Sequence, residues 1–295
     1  MTLPASLPPA PVTPVRDRGR SERQPSSENP APATSAVRPP CLVALDIDGT
    51  LLRTGQPPSA SVVAAVRDVV DGGDHVVLST GRSFAGVLPV VKRLGLRSGW
   101  VVCSNGAVTA RITRRHGLAV ESATTFEPML TLQRALTVFP GALLAVEHIG
   151  RGWKVNATFP HGRLSGRQRV VRERGLWKKP VTRAALHAQG IVDLVQEIGW
   201  LAVTATPAGP DWVDLTAGGI SKATALEKVR IALGVAQGRT WAVGDGANDV
   251  DMLRWAGVGV AMGHARPELK AVADHQTGSI SADGVVPVLR EVAAR

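Results

Sequence analysis

The chain has 295 residues, of which 44% are hydrophobic, enough for one large domain or two ordinary ones. No apolar run reaches the roughly 18–20 residues that a membrane span requires, and two cysteines are too few for a disulfide scaffold. The formal net charge of +10 suggests a polyanionic partner, but residues 111–215 alone hold 14 basic and 8 acidic residues, a net charge of +6. The positive excess therefore belongs mainly to one middle segment.

The first 40 residues hold 10 of the 21 prolines, with Ser, Thr, Ala and Arg between them. Such a segment cannot bury enough apolar surface to offset the entropy lost on ordering, so residues 1–40 are predicted to be a disordered tail. The segment also lacks the uninterrupted apolar stretch of a secretory signal. Together with the low cysteine count, this predicts a cytoplasmic protein.

Short apolar runs alternate with helical patterns directly after this tail. The runs have the length of buried strands, and the first helix carries valines along one face. Ser59 has the side chain of an N-cap, whereas Pro89 interrupts the second helical pattern. The predicted elements are strands at Cys41–Leu45, His75–Leu78 and Trp100–Cys103, and helices after Ser59 and at Ser83–Leu94.

The same alternation returns near the C-terminus. The predicted elements there are helices at Ser221–Leu233, Asn248–Ala256, Pro267–Ala273 and Val285–Ala294, and strands at Thr240–Val243 and Val258–Ala261. Alternating strands and helices indicate an α/β fold with a Rossmann-like parallel sheet, built from residues 41–110 and 216–295. Residues 111–215, basic and rich in Trp, are long enough to form a second, inserted domain.

Polar side chains follow the predicted strands of this sheet. Asp46 and Asp48 follow the first strand, Thr80 follows the second, and Asp245 follows the strand at 240–243. Because ligands bind at the carboxyl ends of parallel strands, these side chains are expected to share one crevice. Three carboxylates without a fixed cation nearby in sequence favour a bound cation, and an all-oxygen set suits Mg²⁺.

Other residues near these strand ends suit a phosphate group. Gly49 and Gly81 allow backbone N–H groups to approach an anion closely. Thr80 adds a hydroxyl, and Lys222 places a positive charge at the start of a helix. Each signal is weak alone, but carboxylates, Mg²⁺, a hydroxyl and a lysine are together the parts that phosphoryl transfer requires.

The set of motifs resembles that of the haloacid dehalogenase-like (HAD) hydrolases, in particular the Cof-type phosphatases. The resemblance covers nearly all of residues 41–295. Where many members of the family have Asn after the Met-Gly pair, this chain has His264. The motifs are Asp46-Ile47-Asp48-Gly49-Thr50-Leu51, Thr80-Gly81-Arg82, Lys222, Gly244-Asp245-Gly246-Ala247-Asn248-Asp249, Ser104-Asn105-Gly106-Ala107 and Ala261-Met262-Gly263.

The resemblance implies roles for the acidic residues. Asp46 would be the nucleophile that forms an aspartyl-phosphate, and Asp48 would be the general acid and then the general base. Mg²⁺ would be held by Asp46, the backbone carbonyl of Asp48, and Asp245, with Asp249 in support.

The resemblance also implies how the phosphate and the rest of the substrate bind. Thr80, Gly81 and Lys222 would hold the transferring phosphoryl group, and Asn248 would help to hold the phosphate or the lysine. The inserted segment would be an α+β cap that closes over the site and selects the substrate. Arg151 and Lys154, in a basic stretch of that segment, are hypothesised to face the substrate; a solvated surface is the alternative.

The leading hypothesis is a Mg²⁺-dependent phosphatase acting on small phosphorylated metabolites, with sugar phosphates as the class that the resemblance implies. A sugar phosphomutase with a similar core and cap is left open. A basic nucleic-acid-binding protein is a remote alternative, because the chain has no Tyr, 4 Phe and no recognisable binding motif. Neither a nucleic acid nor a membrane is expected as a partner, and the sequence does not indicate the oligomeric state.

Overall fold

The structure, a computed structural model, describes residues 38–53, 55–115, 117–198 and 202–295. Nearly all of the predicted disordered tail, residues 1–40, therefore lies outside the described residues. No helix in the described part of the chain is long and apolar enough to cross a membrane.

Strands and α-helices are numbered here in chain order. The strands are β1 (Leu42–Leu45), β2 (His75–Ser79), β3 (Trp100–Cys103), β4 (Val108–Ile112), β5 (Leu118–Ala123), β6 (Leu143–His148), β7 (Gly152–Val155), β8 (Arg167–Val170), β9 (Ala184–His187), β10 (Val203–Pro207), β11 (Trp212–Ala217), β12 (Thr240–Gly244), β13 (Val258–Ala261) and β14 (His275–Gln276). The helices are α1 (Ala60–Asp71), α2 (Phe84–Arg93), α3 (Met129–Val138), α4 (Leu194–Ile198), α5 (Lys222–Leu233), α6 (Val250–Trp255), α7 (Pro267–Lys270) and α8 (Val285–Ala294).

The first sheet has the strand order β14-β13-β12-β1-β2-β3-β4-β5. Neighbouring strands from β14 to β3 run parallel, whereas β4 and β5 pair antiparallel at one edge. Strand β1 lies between β12 and β2, with Leu42 in register with Thr240 on one side and His75 on the other. This parallel sheet confirms the predicted Rossmann-like α/β fold.

Helices cover both faces of this sheet because β1 and its neighbours carry apolar residues on both faces. Val43 and Leu45 of β1 pack with the valines of α1, α2 and α8 on one face. Leu42 and Ala44 point to the other face, where they pack with α5, α6 and α7. Full burial of β1 on both sides fixes the position of the loop that follows it.

The second sheet is an insertion between β5 and α5, with the strand order β10-β11-β9-β6-β7-β8. One of its faces packs against α3 and α4. The other carries a separate apolar cluster that includes Trp153, Phe159 and Trp212. We call residues 124–217 the cap and the remainder of 39–295 the core. The cap confirms the predicted α+β insertion as part of the fold class.

The structure shifts both predicted ends of the inserted segment. Residue 111 lies inside β4, and the first sheet continues through β5 to Ala123. Residue 215 lies inside β11, which ends at Ala217. Strand β5 was not predicted because it is an exposed edge strand, in which no alternation of apolar and polar residues marks a buried face.

Most predicted elements of the core are confirmed. Strands β3 and β13 and helix α8 have the predicted bounds. Ser59 caps α1 by accepting a hydrogen bond from the Val62 N–H, and α2 includes Pro89. Two predicted helices are too long. Helix α6 begins only at Val250, after a 3₁₀ turn, and α7 ends at Lys270.

Candidate active site

Three carboxylates and a lysine meet at the carboxyl ends of β1 and β12. Asp46 directly follows β1, and Asp245 directly follows the neighbouring strand β12. Asp249 lies in the 3₁₀ turn before α6, and Lys222 is the first residue of α5. One carboxylate oxygen from each of the three aspartates lies within 4.8 Å of the other two. The convergence expected from the parallel sheet is present for Asp46 and Asp245, but the third clustered carboxylate is Asp249 and not Asp48.

Lys222 is fully buried between two of these carboxylates. Its Nζ donates to Asp46 Oδ1 at 2.6 Å and to Asp249 Oδ1 at 2.6 Å. Burial alone would lower the pKa of the Lys222 ammonium, but Asp249 and Asp46 raise it above its usual range. The lysine therefore stays charged, and removing one partner of such a buried pair costs about 3–5 kcal/mol.

Asp249 supports the site from behind the other two aspartates. Its Oδ2 accepts hydrogen bonds from the N–H groups of Asp245 (3.0 Å) and Gly246 (2.9 Å), while its Oδ1 accepts from Lys222. These bonds fix the loop after β12 and leave Asp249 few free lone pairs for a metal.

The aspartate group fits a divalent cation. Burial raises the pKa of Asp46 to about 8, with Lys222 opposing and Asp249 adding to the effect. Burial and Asp249 also raise the pKa of Asp245 to about 6. Carboxylates that are crowded and partly dehydrated bind protons tightly until a cation replaces the protons. Oxygen ligands of this kind suit a hard cation.

Two glycines allow the loops to approach this group closely. Gly49 has a φ of +89°, and a Cβ at this position would lie 2.2 Å from Asp245 Oδ2. Gly106 has a φ of +101°, and its Cβ would lie 2.1 Å from the backbone oxygen of Ser221. A side chain at either position would displace Asp245 or the residue before Lys222.

Asp48 lies apart from the three clustered aspartates. Its two carboxylate oxygens accept hydrogen bonds from Nε and Nη2 of Arg82, both at 2.6 Å. Hydrogen bonding to Asp48 is the main cause of the raised pKa of Arg82. Arg82 belongs to the motif Thr80-Gly81-Arg82, but the sequence predicted no role for it. The side chain of Asp48 thus has a different environment from that of Asp46, whose partner is Lys222.

The residues predicted to bind phosphate lie together on the adjacent loops. Thr80 is buried at the end of β2, and its Oγ1 accepts from the Arg82 N–H at 3.1 Å. Asn248 Nδ2 donates to Asn105 Oδ1 at 2.9 Å, and Gly81 lies beside this pair. Asn105 belongs to a motif that the sequence singled out without assigning it a role.

A cavity of about 630 Å³ lies between the cap and the core loops that carry Asn105, Asp245 and Asn248, and it borders the aspartate group through Asp245. Asp46, Thr80 and Lys222 are not among its lining residues. His264 stands at its edge, with Nε2 3.5 Å from Asp245 Oδ2, so the residue that departs from the family pattern faces the aspartate group. The lining residues include Asn105, Asp245, Asn248, His264 and Arg266 of the core, and Val192, Thr206–Pro210 and Asp214 of the cap.

Arg151 and Lys154, predicted to face the substrate, are not among the residues that line this cavity. Lys154 pairs directly with Val146, which packs on the helix-covered face of the cap sheet. Directly paired residues share a face, so Lys154 points away from the face that carries Trp153. Arg151 is exposed, just before β7. Period-two alternation along β7 puts Lys154 and Trp153 on opposite faces, but only the pairing with β6 shows which face the helices cover.

Sequence reasoning did not identify two cap residues beside the site. Arg183 and Asp214 form a buried ion pair, with Arg183 Nη2 2.7 Å from both carboxylate oxygens. Arg183 Nη1 also donates to the carbonyl oxygen of Gly81, the residue after Thr80. The cap therefore contacts the loop predicted to bind phosphate.

The fold and the site together define a class of α/β enzymes in which an acidic, metal-binding crevice lies under a cap. A family model for haloacid dehalogenase-like hydrolases matches residues 43–131 and 185–289. The chain belongs to this family.

Curated and solved relatives agree with this assignment. Phosphatase YwpJ of Bacillus subtilis is 26% identical, covering 85% of this chain and 99% of that protein. The 5-amino-6-(5-phospho-D-ribitylamino)uracil phosphatase YcsE of Bacillus subtilis is 28% identical, covering 84% and 94%. The solved HAD phosphatase BT1666 from Bacteroides thetaiotaomicron has a TM-score of 0.73 and 25% identity, covering 91% and 100%. The predicted enzyme class, a phosphoric monoester hydrolase, is confirmed.

Proposed function

We propose that this enzyme is a Mg²⁺-dependent phosphatase that hydrolyses small phosphorylated metabolites, in particular sugar phosphates, through an aspartyl-phosphate. The observation that carries the proposal is the group of Asp46, Asp245, Asp249 and buried Lys222 at one edge of the sheet. The ribitylamino phosphate substrate in the name of one relative supports a polyhydroxylated leaving group. Two free, buried cysteines support a cytoplasmic location.

In the first step, a carboxylate oxygen of Asp46 attacks phosphorus and the bond from phosphorus to the leaving oxygen breaks. Asp48 gives its proton to that oxygen, so the leaving group departs as an alcohol. Both oxygens of Asp48 accept hydrogen bonds from Arg82 in the structure, so Asp48 would exchange one of these bonds for a bond to the leaving oxygen.

In the second step, Asp48 takes a proton from water, and the water oxygen attacks phosphorus. The bond from phosphorus to Asp46 breaks, which restores the Asp46 carboxylate and releases inorganic phosphate. Lys222, Thr80 and Asn248 bind the phosphoryl oxygens in both steps. Mg²⁺, held by Asp46, Asp245 and the backbone carbonyl of Asp48, would neutralise charge on the transferring group.

The test is phosphate release from p-nitrophenyl phosphate and from glucose 6-phosphate. We expect Asp46→Asn or removal of Mg²⁺ by EDTA to abolish release, and added Mg²⁺ to restore it in the EDTA-treated enzyme. Asp251→Asn is the matched control, because Asp251 is exposed on α6 and outside the aspartate group. Full activity of Asp46→Asn, or activity that needs no divalent metal, would disprove the mechanism.

A further inference from the structure

The cavity has two walls of different chemistry. The core wall includes the loop after β12 (residues 245–248), together with His264 and Arg266. The cap wall carries Asp214 and Thr206, which are directly opposite each other in the pairing of β10 with β11. Directly paired residues share one face of a sheet, so both side chains belong to the same surface of the cap.

Asp214 is held rigidly although it borders the cavity. It is 5% exposed, and both its oxygens accept from Arg183 Nη2 at 2.7 Å. Trp212 Nε1 donates to Asp214 Oδ1 at 3.0 Å. Arg183 is itself anchored to the carbonyl of Gly81 in the core. The position of this carboxylate is therefore fixed relative to the residues predicted to bind phosphate.

Asp214 and Thr206 retain hydrogen-bonding capacity. Oδ2 of Asp214 accepts one donor, and a carboxylate oxygen has room for a second. Within the described residues, the Thr206 hydroxyl has no hydrogen-bond partner. A fixed carboxylate with a free acceptor position, next to a free hydroxyl, is suited to a ligand that donates hydrogen bonds.

The hydrogen-bonding groups of this wall distinguish two kinds of leaving group. Asp214 is already paired with Arg183, and the cap residues that line the cavity offer no further cation to a carboxylate or a second phosphate. An alcohol hydroxyl instead donates to that carboxylate. The wall therefore favours hydroxyl groups over a second anionic group.

We propose that Asp214 is a specificity-determining residue that accepts a hydrogen bond from a hydroxyl of the leaving group, with Thr206 in the same subsite. The substrate class is then a phosphate monoester of a sugar or polyol. This inference rests on the proposed phosphatase function and assigns the part of the site that selects its substrate.

The experiment compares kcat/KM for glucose 6-phosphate, ribitol 5-phosphate and phosphoglycolate with that for p-nitrophenyl phosphate, which has no hydroxyl groups. The sugar ester is whichever of glucose 6-phosphate and ribitol 5-phosphate the wild-type enzyme cleaves better. For Asp214→Asn we expect the ratio of kcat/KM for the sugar ester to kcat/KM for p-nitrophenyl phosphate to fall about 10- to 100-fold. The ratio of kcat/KM for the sugar ester to kcat/KM for p-nitrophenyl phosphate should be unchanged in Arg134→Ala, which alters an exposed cap residue outside the cavity lining. Phosphoglycolate should be a poor substrate of the wild-type enzyme.

The experiment distinguishes a failure of the proposed phosphatase function from a failure of the Asp214 subsite. A wild-type enzyme that releases no phosphate from any ester with Mg²⁺ overturns the proposed function. If the wild-type enzyme cleaves p-nitrophenyl phosphate, an unchanged ratio in Asp214→Asn, or an equal fall of the ratio in Arg134→Ala, overturns the Asp214 subsite. If Asp214→Asn does not fold, Thr206→Val decides: the same ratio should fall about threefold, and an unchanged ratio overturns the subsite.

Discussion

The protonation of Asp46 dominates the electrostatics of the site. Burial raises its pKa to about 8, although Lys222 opposes this shift, whereas an aspartate in an unfolded chain ionises near pH 4. A carboxyl that binds its proton more tightly in the folded state stabilises that state at low pH. This contribution is lost as the pH rises toward the folded pKa.

We therefore expect the metal-free protein to lose thermal stability between about pH 5 and about pH 8 through Asp46. Saturating Mg²⁺ should reverse this trend, because the cation binds the ionised carboxylates and its affinity rises as their protons leave. The measurement is the melting temperature as a function of pH, in EDTA and in Mg²⁺.

Variants isolate the contribution of Asp46 from that of other titrating groups. Asp46→Asn should flatten the decline seen in EDTA, and the exposed Asp251→Asn should retain it. Equal slopes in the wild-type protein and Asp46→Asn would show that Asp46 is not the group that titrates.

At the residue scale, the sequence was sufficient to predict the positions of the site residues that directly follow strands of the parallel sheet. Asp46, Thr80 and Asp245 are placed by the parallel sheet, so strand ends and motif order located them. The partners Arg82 and Asp214 could not be located this way. Arg82 reaches Asp48 across 34 positions of the chain, and Asp214 reaches the cavity only through the docking of the cap.

At the scale of elements, the start of α2 and the turn after β3 are places where the cap contacts the core. Glu147 on β6 accepts from the Phe84 N–H (2.9 Å) and from Ser104 Oγ (2.5 Å) of the core. It also accepts from Thr182 Oγ1 within the cap, at 3.2 Å. Three donors from three segments converge on one buried carboxylate.

Glu147→Ala should loosen this junction. Three buried donors would lose their acceptor, so we expect a loss of about 2–4 kcal/mol in the free energy of unfolding. Glu147→Gln keeps one acceptor oxygen and should lose less. Denaturant unfolding measures the stability, and hydrogen exchange at the Phe84 amide should accelerate in the alanine variant.

The control is Glu197→Ala, which removes an exposed ion pair with Arg134 within the cap. We expect a change below about 1 kcal/mol and no effect on exchange at Phe84. If Glu147→Ala behaves like this control, the junction does not depend on Glu147.

The boundaries of elements show where sequence patterns stop being informative. Buried strands such as β3 and β13 are continuous apolar runs bounded by polar residues, and their predicted bounds are confirmed. The exposed strand β5 has no such run, because its stability comes from pairing with β4. The direction of Lys154 likewise depends on its pairing partner in β6, which the sequence of β7 alone does not identify.

At the scale of the whole molecule, the net positive charge of the chain does not describe the residues that line the cavity. The segment 111–215 contributes a net charge of +6. Yet the cap residues that line the cavity include an aspartate and no cation. The basic residues of the cap, among them Arg183 paired with Asp214, therefore do not themselves line the cavity.

The connection between the two sheets makes a further prediction. Asp46, Asp245 and Asp249 all belong to the core, so Mg²⁺ stabilises the core directly and the cap only through contacts such as Glu147 and Arg183. Ligand binding stabilises whatever unfolds together with the site. The wild-type protein should therefore unfold in one calorimetric transition that Mg²⁺ shifts upward as a whole.

The double variant Glu147→Ala with Arg183→Met should split this transition. Mg²⁺ should then raise the melting temperature of the core transition and leave that of the cap unchanged. Arg134→Met with Glu197→Ala removes a pair within the cap and should preserve the single transition. If the double variant still melts in one transition that Mg²⁺ shifts as a whole, other contacts couple the two sheets. One such contact is the carbonyl oxygen of Ser165, which accepts hydrogen bonds from Ser83 and Trp153.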